Sequence, residues 1–261
     1  MAPPTYPAAP RSPSCPPTAR ACLGFTDPTN VELIVKILDL NGVYKVFYGE
    51  LTNLHFTLTV SDTLTGTVKT YTNTPGDCGA IDEVGFPESL ALRTAPAAAQ
   101  RTTPAAPAPV TARAAMAATT ATTAMAAMAA MVPRDAAAPL AQPAAVATGA
   151  CRPGSGTLCL MNRRFALSMQ WTNTGNGTSG AGGAVPLTGD LTGAFYFTDA
   201  ADLELVVKIL DLGDRIAVFY GTLSDLEYTL TVTDTRSGEV KSYHNAAGNY
   251  CGGLDNSAFQ P

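Results

Sequence analysis

The chain has 261 residues, 14% of them charged, with a formal net charge of −5 and an isoelectric point near 5.0. That length is enough for one or two cores of ordinary size, and a mildly acidic, charge-poor surface gives no counter-charge for a phosphate backbone, so nucleic acid is excluded as an expected partner. No apolar run reaches the roughly 18 residues that a membrane-crossing helix needs, and no membrane span is expected.

Residues 1–21 include MAPPTYPAAPRSPSCPPTAR, with prolines where an export leader would need an unbroken apolar stretch. We read them as a disordered N-terminal segment without a leader of the usual form. A first block then spans 22–88 and a second, fuller one 151–261. Aligning Phe25 on Phe197 and reading without a gap to Gly76 and Gly248 gives roughly 29 identities in about 52 positions. Such self-similarity is the mark of one structural unit written twice. After Cys159 and Leu160 the second block carries some thirty-five residues that are missing after Cys22 and Leu23, so the first copy reads as truncated from inside. The cysteines follow the same plan by spacing: Cys15-x6-Cys22-Leu23 mirrors Cys151-x7-Cys159-Leu160, and Cys78 sits within one residue of the place of Cys251.

Both blocks have strand periodicity. Phe165, Leu167, Met169 and Trp171 alternate with Arg164, Ala166, Ser168 and Gln170. In EYTLTVTD (227–234), Tyr228, Leu230 and Val232 point inward, and Glu227, Thr229, Thr231 and Thr233 point to water. In LELVVKILDL, Leu203, Leu205, Val207 and Ile209 fall on one face, and Glu204, Val206, Lys208 and Leu210 on the other. DTRSGEV and DTLTGTV are turns, Asp234 or Asp62 bonding back to the chain and Gly238 or Gly66 taking positive φ. The expected fold is all-β: antiparallel, immunoglobulin-sized β-sandwich repeats, one complete and one truncated. Residues 89–150 join them as a low-complexity, disordered linker, because Ala, Pro and Thr offer too little burial to offset ordering entropy.

GAFYFTDAADLELVVKILDL, VFYGTLSDLEYTLTVTDTRSGEVKSYHN, LCLMNRRFALSMQW and AVPLTGD together resemble an uncharacterised tandem β-repeat domain of predicted secreted bacterial proteins. The resemblance covers nearly all of 151–259 and about 22–86 of the first copy. It implies an exported accessory module and carries no activity, cofactor or site residue with it.

Residues with chemical potential have plainer explanations. His55 and His244 stand opposite Glu227 and Thr72 in the alignment, so neither belongs to a shared plan, and no G-x-S-x-G elbow presents a serine to either. GNGTSG (175–180) has dinucleotide spacing but lacks the helix that motif must open, and reads as a flexible hairpin loop. Asp199, Glu204, Asp211 and Asp234 recur as Asp27, Glu32, Asp39 and Asp62, and are expected to be structural turn residues rather than calcium ligands. No cofactor, metal or catalysis is expected. The aromatic residues are mostly core, with Tyr196, Trp171 and Tyr220 as the candidate binding surface.

Cys15 with Cys22 and Cys151 with Cys159 can each close a small loop, adding about 2–3 kcal/mol. Cys78 and Cys251 are then left to pair together, link to a partner or stay free. Alternatively, one upstream cysteine staples the C-terminal end. Six cysteines in a loop-rich, charge-poor chain fit a secreted or cell-surface protein. The expected function is non-catalytic attachment to, or recognition of, carbohydrate or extracellular protein. Two alternatives are self-association through an exposed sheet edge of copy one, and protease inhibition by the glycine loop 173–184.

Overall fold

The computed structural model describes residues 20–25, 30–40, 42–76, 78–87, 110–115 (backbone alone), 149–187 and 189–261. Among them the chain is all-β: it has no helix, and every strand pairing is antiparallel.

The first lobe contains β1 (Arg20–Leu23), β2 (Leu33–Asp39), β3 (Val43–Glu50), β4 (Phe56–Asp62), β5 (Val68–Asn73), β6 (Ala80–Pro87) and β7 (Val110–Ala115). They form one sheet in the order β1-β2-β3-β6 and another in the order β5-β4-β7. The second lobe contains β8 (Leu158–Leu160), β9 (Phe165–Asn173), β10 (Thr178–Ala181), β11 (Gly183–Pro186), β12 (Thr192–Tyr196), β13 (Leu203–Asp211), β14 (Ile216–Thr222), β15 (Glu227–Asp234), β16 (Val240–Asn245) and β17 (Gly253–Phe259). Its sheets run β11-β12-β13-β14-β17 and β10-β9-β15-β16, with β8 also paired to β9.

Alternation builds each sandwich. Phe165, Leu167, Met169 and Trp171 of β9, with Tyr228, Leu230 and Val232 of β15, pack on Phe195, Leu205, Val207, Ile209 and Val218 of the facing sheet. Leu33, Val35, Val46 and Tyr48 meet Phe56, Leu58 and Val60 in the first lobe. The turn chemistry is as expected: Gly66 and Gly238, at φ 73° and 77°, each donate 2.8 Å hydrogen bonds to the carbonyls of Asp62 and Asp234.

The inner sheets of the two lobes also pack back to back. Val31, Ile34, Phe47 and Leu51 form one buried cluster with Leu203, Val206, Ala217, Phe219 and Leu223, giving a four-layer stack of sheets. Strands whose faces are both covered must be apolar on both, and this is why the residues between Leu203 and Leu210 are rich in large side chains on each side. The backbones of β3 and β14 approach closely at paired glycines. A Cβ on Gly221 would lie 2.9 Å from the Glu50 carbonyl, and one on Gly49 3.1 Å from that of Thr222. Disulfide Cys78–Cys251, with Cα atoms 5.0 Å apart, ties the lobes covalently, while Cys151–Cys159 closes a loop within the second. Cys22 is disulfide-bonded as well, and Cys15 lies outside the described residues.

Several expectations are corrected. Arg20 and Ala21 belong to β1 rather than to a disordered N-terminal segment, and residues 1–19 lie outside the described residues. Cys22 faces Ile34 as Ala194 faces Val206, so it holds the place of Ala194 and not of Cys159. Within the stretch read as a disordered linker, 110–115 form a strand on β4, with Leu58 opposite Ala114 as Leu230 is opposite Met169. The rest of 89–148 lies outside the described residues. The β4 edge expected to be bare is therefore paired on both sides. The glycine loop 173–184 is, as expected of GNGTSG, a hairpin, with Thr178–Ala181 paired to Gln170–Asn173. Finally, a bulge next to Tyr196 turns Leu203 to the inter-lobe face, away from Leu205.

The close glycine contact makes a local test. Gly221→Ala is expected to lower unfolding free energy by about 1–3 kcal/mol through overpacking. Gly154→Ala, where a Cβ meets nothing within 4 Å, should change it by less than about 1 kcal/mol. Denaturant titration separates the two, and equal effects would contradict the close packing. Cys78→Ser should cost about 4–5 kcal/mol in the same assay, because its partner is 173 residues away and the loop it closes is long.

Candidate functional site

At one end of the second lobe lies a cleft of about 320 Å³ lined by Met161, Asn162, Arg164, Asp190, Leu191, Asp211 and Arg236. Its rim is built on unusual backbone. Met161, Asn162 and Arg163 are consecutive non-glycine residues at φ 52°, 54° and 64°. Left-handed conformation costs an L-residue roughly 1–2 kcal/mol, so such a run persists only where its surroundings impose it. Here they do. The Met161 N–H donates to the Asp190 carbonyl at 2.7 Å, and the Asn162 N–H donates to the Asp190 carboxylate. Cys151 N–H donates to the Arg163 carbonyl at 2.8 Å, and the Arg164 carbonyl accepts from the Thr235 N–H and hydroxyl.

Beneath the rim, Arg164 is 7% exposed and Asp234 2%. Arg164 donates to Asp234 at 2.8 and 3.2 Å and to the Gln260 carbonyl, with its guanidinium carbon 4.9 Å from the Phe165 ring centroid. Burial pushes the Asp234 carboxyl up, but the hydrogen bonds from Arg164 and the Arg236 N–H, with the guanidinium charge, outweigh it and hold the group below the usual carboxylate range. The exposed groups at the mouth are Asn162, Asp190, Asp211 and Arg236, above the half-buried Met161 and Leu191. They can donate and accept hydrogen bonds around a small polar ligand, and no serine, cysteine or histidine lines the cleft.

The aromatic candidates lie elsewhere. Trp171 is 8% exposed and stacks on Phe197 at 5.3 Å. Tyr220 is half-buried against Tyr243 at 5.1 Å. Tyr196 is half-buried with its ring over Gly183, on the face of its strand opposite Phe195 and Phe197. The three rings do not share a surface. His244 is exposed on β16, its Nδ1 3.3 Å from the Thr229 hydroxyl, and His55 is also exposed. Asp39, Asp62, Asp199 and Asp211 accept backbone N–H groups in turns, as expected, and Asp27 lies outside the described residues. Among the described residues no three His, Cys, Asp or Glu side chains form a group that could hold a metal ion.

Glu32 and Glu204 are not turn residues. They lie at the inter-lobe contact with Lys208 and Lys36, two lysines to which the sequence reading gave no role. The available signal was a lysine and a glutamate recurring in strands whose opposite faces are both apolar. Lys36 Nζ is 3.0 Å from both Asp202 Oδ1 and Glu204 Oε2. Lys208 Nζ is 3.0 Å from Asn30 Oδ1 and 3.3 Å from Glu32 Oε2. Burial pushes the Glu204 carboxyl up to about 7, with Lys36 opposing and Asp202 adding to the rise. Burial lowers the Lys208 ammonium from the ordinary lysine range, against the pull of Glu32.

Arg164→Ala leaves Asp234 buried and unpaired, and is expected to cost about 3–5 kcal/mol in denaturant unfolding. Because the Asp234 carboxyl titrates lower in the folded chain than in the unfolded one, the pair adds stability above the ordinary carboxylate range near pH 4 and loses it as pH falls through the folded value. Asp234→Asn should flatten that acid limb of the stability profile, and an unchanged limb would place the acid sensitivity elsewhere. Comparison with family models, curated proteins and solved structures finds no match to this chain.

Proposed function

We propose that this protein is an exported, non-catalytic β-sandwich accessory module for recognition or attachment, and that its ligand is a carbohydrate or an extracellular protein segment held in the 161–164 cleft. The observation that carries the reading is the run of three left-handed residues at the rim, anchored by Asp190 and placed over a buried Arg164–Asp234 pair. Strain held this firmly pre-orders the mouth, so little conformational entropy is lost when a ligand is gripped. The cleft belongs to the second lobe alone. Met161 to Leu191 have no counterpart among the described residues of the first block, and Arg236 is replaced there by Leu64. Disulfides and a charge-poor composition support an oxidising compartment, and no described helix is long and apolar enough to cross a membrane.

The test is a glycan array and a pull-down on cell-envelope polysaccharide and surface-protein fractions. Wild-type protein should bind, and Arg236→Ala should weaken binding at least about tenfold, the equivalent of roughly 1.4 kcal/mol, with an unchanged circular dichroism spectrum. Loss of binding in Tyr196→Ala with retention in Arg236→Ala would move the site to the sheet face. Wild-type protein that retains nothing from any fraction would remove the recognition reading.

A further inference from the structure

The inter-lobe contact contains the same arrangement twice. Asn30, Glu32 and Lys36 of the first block align with Asp202, Glu204 and Lys208 of the second. Each lysine reaches across to the other lobe, Lys208 to Asn30 and Glu32, and Lys36 to Asp202 and Glu204. Lys208 is 1% exposed, 5.0 Å from the Phe219 ring centroid, and donates to Asn30 Oδ1 at 3.0 Å. Lys36 is 2% exposed, 4.8 Å from the Phe47 centroid, and 3.0 Å from Asp202 Oδ1. Glu32 spans both reacting groups on its side: Oε2 faces the Lys208 amine at 3.3 Å, and Oε1 accepts from the Asn30 amide nitrogen. As ion pairs alone these contacts would be poorly placed, since apolar residues of similar size often stabilise a buried interface as well or better. What the set does assemble is an amine, an acyl carbon one bond from the atom that amine touches, and a carboxyl group able to pass a proton between them.

We propose that Lys208 and Asn30, and at the equivalent site Lys36 and Asp202, condense into isopeptide bonds that join the two lobes, with Glu32 and Glu204 as the proton carriers. At the first site the neutral Lys208 Nζ attacks Asn30 Cγ and the Nζ–Cγ bond forms. Glu32 takes a proton from the attacking nitrogen through Oε2 and returns one to Asn30 Nδ2 through Oε1. The Cγ–Nδ2 bond then breaks and ammonia leaves. Amine plus carboxamide becomes secondary amide plus ammonia, with no change of oxidation state. At the second site the Lys36 Nζ attacks Asp202 Cγ and the Cγ–O bond to the hydroxyl breaks. Glu204 gives its proton to the departing oxygen and takes one from the attacking nitrogen through Oε2, so that amine plus carboxylic acid becomes amide plus water. Burial lowers the Lys208 ammonium and raises the Glu204 carboxyl to about 7, the directions that make an amine nucleophilic and keep a carboxyl proton available. Contact between the reacting groups replaces an intermolecular encounter, an advantage that reaches several powers of ten in effective concentration.

The experiment is the intact mass of the full chain after its cysteines are reduced and alkylated, followed by peptide mapping. The expected mass is lighter than the sequence by one ammonia and one water. The map should contain one peptide pair joined through Asn30 and Lys208 and another joined through Asp202 and Lys36. Glu32→Gln should regain the ammonia while leaving the second link in place, and Lys208→Arg should do the same. A wild-type chain at its full sequence mass overturns the proposal without reference to any variant. So does a chain that has lost ammonia yet gives no peptide linked through Lys208. Glu32→Gln that still forms the Lys208 link overturns the role of Glu32.

Discussion

The structure depends on the contact in which β3 crosses the back of β14. At that crossing there is no room for side chains: Gly49 and Gly221 face each other's backbones, and a methyl group on either would be tighter than ordinary van der Waals contact. Once the backbones are this close, the inner sheets must be apolar on their outer faces as well. Ile34, Phe47, Val206 and Phe219 serve the joint, while Val35, Val46, Val207 and Val218 serve the sandwich interiors. A pair of packed lobes made from one repeated segment therefore needs strands without a polar face, and each fully buried Val, Ile or Phe adds roughly 1.5–3 kcal/mol.

The same contact accounts for how the shorter lobe holds its fold. Its described residues lack the counterparts of β8 to β11, and with them the four large inward side chains of β9. Two features stand in. β7 pairs with β4 in the register that β9 uses on β15, satisfying the backbone groups of an otherwise open edge. The inter-lobe cluster covers the inner sheet with the full lobe's side chains. The compensation is incomplete at the periphery: among the described residues, the exposed large apolar ones, Leu40, Leu64, Val68 and Val84, all belong to the first lobe. Asp62 shows the same loss. Its equivalent Asp234 is buried under Arg164, but that arginine falls in the missing segment, so Asp62 stays at the surface and bonds to Leu64 N–H and the Thr65 hydroxyl instead.

Short-range chemistry was legible in the sequence. The alternation in β9 and β15 is a period-two signal that any half-buried strand must carry, and Asp62 with Gly66 or Asp234 with Gly238 encode their own turns. Fold class followed from these. What covers a given face was not legible, because that is decided by residues far away in the chain. Lys36 and Lys208 sit on the side of their strands that looks polar in isolation, yet that side is the joint. Leu203 was misplaced by a bulge, which shifts alternation by one residue and has no signature in LELVV. β7 was unreadable for another reason: VTARAA has neither β-branched density nor clean alternation, and it is a strand only because β4 presents an edge to it. The cleft was missed because Met161 to Arg163 contain no glycine to announce positive φ.

The pattern of shared and unshared residues separates two tasks. Asn30 with Asp202, Glu32 with Glu204, Lys36 with Lys208, Gly49 with Gly221 and Cys78 with Cys251 recur in both blocks, and all of them lie on or across the joint. A contact between near-identical surfaces is self-complementary: each lysine needs an acid from the other lobe, so both copies must keep both groups. No such reciprocity binds Met161, Asn162, Asp190 or Arg236, which are found in one lobe and can change without disturbing the other. The proposed recognition role therefore falls to the unshared end of the second lobe. The repeated segments hold that end in place, and the first lobe's part in the joint is carried by the strands described in it.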